Sequence, residues 1–219
     1  MDIEDEIVQR ILNWYKDHGR SYLWRQNQDP YGILIAEMML QRTKSDQVAR
    51  VYTSFLKKYP NPTALANSDP REIERFLRPL GLRWRARKLW EMGKTLIERF
   101  NGTVPDDYEE LLSLPGVGQY AASAVLCFAF GKNLPVIDAN VCRVVSRLFD
   151  LRPAGEARRD QRIIKKIHDL HAHVLPEECS RYNWAILDLA AIICTPRKPL
   201  CPRCPLNSLC RNATAQPKR

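Results

Sequence analysis

Near its C-terminus the chain reads "CTPRKPLCPRCPLNSLC", a C-x6-C-x2-C-x5-C spacing formed by Cys194, Cys201, Cys204 and Cys210. Four thiols in one short, proline-rich loop constrain the fold more than any other feature, because they point to a common centre. The chain has seven cysteines, an odd count, and opens on the acidic "MDIEDEIVQR" rather than on a secretory leader. Both facts argue against a disulfide framework. A metal centre is the stronger reading, with unligated thiols as the bland one. Zinc and an iron–sulfur cluster each accept four cysteines. Zinc ribbons usually pair two C-x2-C knuckles and this loop has one, so the spacing leans away from zinc. Arg197, Lys198 and Arg203 lie in the same loop, which would make it a basic surface held in shape by metal. Cys127, Cys142 and Cys179 sit in helical stretches and read as small core residues.

Upstream the pattern is helical nearly throughout, and nothing alternates convincingly with period two, so the expected fold is all-α. "DIEDEIVQRILNWYKDH" places Ile3, Ile7, Ile11, Leu12 and Tyr15 on one stripe. Pro30 stands close to the start of the next helix, and the run 31–59 reads as helical and buried through its apolar first turns. A proline-rich break follows, then Ser68-Asp69-Pro70 as a helix start. Further helices are expected around 84–99, 106–113, 119–130, 139–149, 158–174 and 182–193. The formal net charge of +9 favours a polyanionic partner, nucleic acid or an anionic membrane surface. No apolar stretch approaches the ~20 residues that span a bilayer, so the expectation is an intracellular protein with no membrane partner.

Three stretches carry candidate chemistry. "LLSLPGVGQYAASAV" (111–125) is a helix, a Pro-Gly-Val-Gly turn and a second helix, the helix-hairpin-helix pattern. Gly116 and Gly118 can adopt positive φ and admit a close backbone. The following helix N-terminus suits a phosphate. A turn without charge must bind through its backbone; the alternative is a plain αα-turn. Asp138, in "VIDANV", precedes an amphipathic helix and reads first as its N-cap. Capping is compatible with catalysis, since accepted N–H bonds keep such a carboxylate ionised. Glu37 is the single polar residue between Ile33 and Leu40. An apolar setting favours the neutral carboxyl, the form a general acid needs at neutral pH; the alternative is a glutamate at a helix edge reaching water.

The hairpin, the "VIDANV" aspartate and the cysteine loop, in that order, resemble the endonuclease III superfamily of DNA base-excision glycosylases. The likeness runs from "LWRQNQDPYGILIAEMMLQRT" to Cys210. It implies a two-domain, all-α helix-hairpin-helix fold. A six-helix barrel domain would span 22–132, with the hairpin at about 111–125. A second domain would combine 1–21 with 133–219 and hold a [4Fe–4S] cluster in the loop 194–210 through Cys194, Cys201, Cys204 and Cys210. It implies double-stranded DNA as partner and base flipping, cheapest at a mismatch. Asp138 would be the catalytic aspartate that stabilises an oxocarbenium-like sugar, as carboxylates do in glycoside hydrolysis.

Tyr120 stands where bifunctional relatives carry a lysine that forms a Schiff base with the sugar. A phenol cannot form one, which leaves water as nucleophile and Tyr120 as a wall of the base pocket. Glu37 matches the acidic residue with which MutY adenine glycosylases protonate adenine, and MIG-type thymine mismatch glycosylases share a glutamate there. "AFGKNLPVIDANV" and "AIICTPRKPLC" are closer to the thymine enzymes. The chain also ends nine residues after Cys210, without the domain with which MutY proteins typically read 8-oxoguanine. The expectation is a monomeric, monofunctional glycosylase releasing thymine or uracil opposite guanine. Adenine opposite 8-oxoguanine or guanine is the alternative. Gln41 and Arg42 match the segment that fills the gap left by the flipped base, and Leu114, Gly116, Val117, Gly118 and Gln119 the hairpin contact with DNA. Trp84, in "GLRWRARKL", is a candidate wedge with Arg83, Arg85 and Arg87 on phosphates, or ordinary packing at a helix start. The expected compartment is the cytoplasm of a prokaryote, on the nucleoid, or the nucleus of a eukaryote.

Overall fold

The computed structural model describes residues 2–81 and 83–214, and among them every regular element is helical. The chain separates into two compact units. Ser21–Phe130 is continuous, whereas the other unit joins Met1–Arg20 to Gly131–Arg219.

The discontinuous unit begins with α1 (Ile3–His18). The continuous unit then holds α2 (Pro30–Leu40), α3 (Ser45–Lys58), α4 (Pro62–Ala66), α5 (Pro70–Leu77), α6 (Trp84–Phe100), α7 (Tyr108–Leu112) and α8 (Gln119–Phe130). Short acidic or amide caps start many of these helices. Asp29 accepts from the Tyr31 and Gly32 N–H groups with Pro30 behind it, and Asp69 accepts from Arg71 N–H with Pro70 behind it. Each cap satisfies amides that have no intrahelical acceptor. The apolar helix α2 is buried from Tyr31 to Met39 and packs against α3, α6 and α8.

The run 31–59 is not one helix. α2 stops at Leu40 and α3 starts at Ser45, with Arg42 in the left-handed region at φ 55°. In an unbroken helix the Met39 carbonyl would accept the Thr43 N–H. Here the Arg85 guanidinium donates to that carbonyl, and Thr43 N–H turns to Leu40 O at 3.1 Å. A tertiary donor has replaced a helical one, which no local pattern announces.

The discontinuous unit resumes with α9 (Ala139–Leu148), α10 (Gln161–His171), α11 (Cys179–Ile192) and α12 (Arg211–Thr214). α1 lies on α10 and α11, and α9 on α10, α11 and α12. Ile7, Val8, Ile11, Val141, Val145, Ile163, Ile167, Ile186 and Leu189 form the centre of this core. The expected helix at 158–174 is shorter, because Asp160 caps α10 behind a separate 3-10 turn at Ala157–Arg159. Cys127, Cys142 and Cys179 are buried, as core residues should be.

Candidate functional site

In the hairpin between α7 and α8, Gly116 has φ 86°, and a Cβ there would stand 2.7 Å from Met38 Cε and 3.1 Å from Lys88 Cβ. Gly118 corrects the expectation of two positive-φ glycines, for it is absent from the left-handed residues. Its carbonyl accepts Ala122 N–H at 3.0 Å, so it caps α8, a place where glycine is tolerated without unusual φ. A Cβ on Gly118 would meet nothing within 4 Å. Leu114 and Val117 are buried, and Val117 N–H donates to Leu114 O at 3.1 Å. Their side chains anchor the turn from below. The surface offered to a ligand is Gly118, Gln119 and the opening amides of α8, which lack intrahelical acceptors.

The loop after α2 is tied to this turn: Gln41 Nε2 donates to Gly116 O at 3.0 Å. Arg42 next to it is exposed. Glu37 is 3% exposed on α2, and Tyr120 is half-buried at the second position of α8, which packs on α2. Trp84 is 44% exposed at the first residue of α6, so it is not a packing residue. Arg83 and Arg87 are exposed and pair with Glu74 and Glu91. Arg85 departs from the phosphate role expected for it. At 1% exposure it lies on the inner face of α6 and donates to Met39 O, Leu80 O and Thr43 Oγ1.

Asp138 belongs to the discontinuous unit and caps α9. Its Oδ1 accepts the Asn140 and Val141 N–H groups at 2.8 and 2.7 Å, and its Oδ2 accepts Asn140 Nδ2 at 2.6 Å. Two residues unmarked in the sequence reading continue from there. Arg143 Nη1 donates to Asn140 Oδ1 at 2.9 Å, while its Nε and Nη2 reach Cys194 O and Ala190 O at 2.9 and 3.0 Å. One turn on, Arg147 donates to Thr195 O, Pro196 O and, at 3.4 Å, Cys194 Sγ. The i, i+4 spacing of Arg143 and Arg147 was the available signal that one face of α9 serves the cysteine loop.

Cys194, Cys201, Cys204 and Cys210 line one cavity, closed by Arg147, Ile193, Pro199 and Asn207. Among the described residues no three His, Cys, Asp or Glu side chains converge on a single-ion position. The four thiols line the same wall, and four cysteines are the donor set that an iron–sulfur cluster takes. Burial pushes the Cys204 thiol up to about 11 and raises Cys210 as well. A positive centre is what ionises thiols so placed. Arg10 also clasps this loop, donating to Pro205 O and Ser208 Oγ at 3.2 and 2.9 Å. The donor set therefore fits a cluster.

Comparison with known proteins bears on both units. Residues 35–170 match the family described as HhH-GPD superfamily base excision DNA repair protein, and residues 194–210 match the iron–sulfur binding domain of endonuclease III. The cofactor of the loop is a [4Fe–4S] cluster. The chain is similar to the thymine-DNA glycosylase of Aeropyrum pernix, 39% identical and covering 94% of this chain and 93% of that protein. It is also similar to an adenine DNA glycosylase of Mycobacterium tuberculosis, at 36% identity over 90% of this chain and 64% of the relative. The solved structure of a thermostable thymine-DNA glycosylase superposes with TM-score 0.86 at 33% identity, covering 96% of this chain and 97% of the other.

Proposed function

The chain belongs to the HhH-GPD superfamily of base excision DNA repair proteins, and from that premise we propose that it is a monofunctional DNA glycosylase releasing thymine or uracil mispaired with guanine. The observation that carries the reaction type is Tyr120: the second residue of the hairpin helix α8 is a phenol and not an amine. The near-complete two-way match to thymine-DNA glycosylases supports the substrate.

In this reading the hairpin amides at Gly118 and Gln119 hold a phosphate, and Arg42 and Trp84 occupy the duplex beside the extruded nucleotide. Asp138 stabilises the cation that grows at C1′ as the glycosidic bond breaks and its electron pair leaves with the base. Glu37 supplies the proton that neutralises the departing base. Water adds to C1′ and gives up a proton, completing hydrolysis and leaving an abasic site. Held by its four cysteines, the cluster gives the 194–210 loop a fixed shape. The chain acts as a monomer.

A panel of duplexes carrying G:T, G:U, A:8-oxoguanine and A:G pairs, under single-turnover conditions, tests this. Release of thymine and uracil with strand breaks appearing only after alkali is expected. Release of adenine alone would transfer the assignment to the adenine branch, a second reading that the 36% identity to an adenine DNA glycosylase over 90% of this chain supports. Strand breaks without alkali would overturn monofunctional action.

A further inference from the structure

From Gly131 to Asp138 the chain has no regular secondary structure. Such a segment must find partners for its backbone groups or keep them in water, and Pro135 within it has no N–H to offer. One buried side chain bonds it on both sides of Pro135. Asn183, at the middle of α11 and 2% exposed, accepts Val136 N–H on Oδ1 at 3.0 Å and donates from Nδ2 to Leu134 O at 3.0 Å. These two bonds straddle Pro135 as a neighbouring β-strand would.

A second buried side chain serves the same segment. Cys179, one turn before Asn183 on α11, donates from Sγ to Lys132 O at 3.3 Å and lies 3.6 Å from Leu134 O. Asn183 Nδ2 also reaches that sulfur at 3.4 Å, and His171 Nε2 stands 3.7 Å from it. An asparagine inside a helix has poor propensity, and a buried amide is costly unless fully engaged. The helix itself gives no reason for it; the extended segment does. Val136 is two residues before Asp138, and the first amides of α9 grip the carboxylate from the other side. With both flanks fixed, few backbone dihedrals remain free at Asp138.

We propose that Asn183 is a positioning residue that sets the Asp138 carboxylate through the 132–137 segment, with Cys179 steadying its amide; this rests on the role given to Asp138 above. Displacing a catalytic group by about 1 Å costs roughly 100-fold in rate. Asn183→Ala should therefore lower the single-turnover rate on a G:T duplex by roughly 30- to 100-fold. Its Kd for a G:T duplex carrying 2′-fluorothymidine, which resists hydrolysis, should stay within about twofold of wild type (a few tenths of a kcal/mol), with the visible absorbance of the cluster unchanged. Asn183→Asp keeps the acceptor for Val136 N–H but loses both donors, so its rate should fall between. Should the alanine variant fail to fold, the aspartate variant carries the same split between rate and Kd. Wild-type rates in these variants alongside an inactive Asp138→Asn would overturn the inference and leave the role of Asp138 standing. Rate and Kd falling together would also overturn it, as general loss of structure. Full base release by Asp138→Asn would sink both.

Discussion

In the proposed reading, the side chain at position 120 decides which nucleophile attacks the sugar. Replacing Tyr120 by lysine puts an amine at the start of α8, where the positive end of the helix dipole disfavours the ammonium form. The amine can then displace the base at C1′ and form an imine, so Tyr120→Lys should gain strand cleavage without alkali and a borohydride-trapped covalent complex on denaturing gels. No trapped complex would mean that Tyr120 does not approach C1′. The two hairpin glycines differ just as sharply. Gly116→Ala meets Met38 and Lys88 at a φ of 86° and should cost about 2 kcal/mol in denaturant unfolding. Gly118→Ala meets no protein atom within 4 Å and should leave stability within about 0.5 kcal/mol. If a phosphate approaches there, the added methyl should still weaken duplex binding about tenfold, or about 1.4 kcal/mol. Unchanged Kd in Gly118→Ala would remove the hairpin from the interface.

Among the helices, those with local start signals were legible and those shaped by distant donors were not. Asp69-Pro70 and Asp138 announce α5 and α9 because a cap is a contact within three residues. The end of α2 depends on Arg85, 46 residues away in sequence, so the run 31–59 looked continuous. The same cause hides the place of Arg85 itself: the middle arginine of "RWRAR" reads as surface charge until the face of α6 is known. The cysteine spacing and the Asp138 cap were plain, whereas Asn140, Arg143 and Asn183 became visible only when α9 and α11 brought them to their acceptors. Arg85 now yields a prediction about the element it terminates. Removing it orphans the Met39 carbonyl, strips one donor from the Leu80 carbonyl and leaves a cavity in the packing of α2 against α6. Arg85→Ala should therefore cost about 3 kcal/mol in urea unfolding. A loss under about 1 kcal/mol would mean that water replaces the guanidinium and that the 41–44 loop keeps its shape unaided.

Across the whole chain, one unit is interrupted in sequence by the other: α1 must wait for residues 131–219 before its core exists, whereas Ser21–Phe130 is complete in one stretch. The cluster loop belongs to the first of these. Cys194, Cys204, Leu209 and Cys210 pack against the core of α1, α9, α10 and α11, and Arg10, Arg143 and Arg147 are bonded to loop carbonyls. A cluster that fixes four cysteines therefore fixes one wall of that core. Its loss should not be felt evenly, because two units with separate cores need not unfold together. After oxidation and chelation remove the iron, hydrogen exchange should accelerate in α1, α9 and α11. In α2, α6 and α8, which belong to the continuous unit and in which α2 packs on both of the others, protection should persist. Thermal unfolding should then split, with the earlier transition belonging to the discontinuous unit, and base release should fall with it because Asp138 caps α9. Equal loss of protection in both units would mean that they share one cooperative core; no change in either would mean that the loop holds its shape without iron.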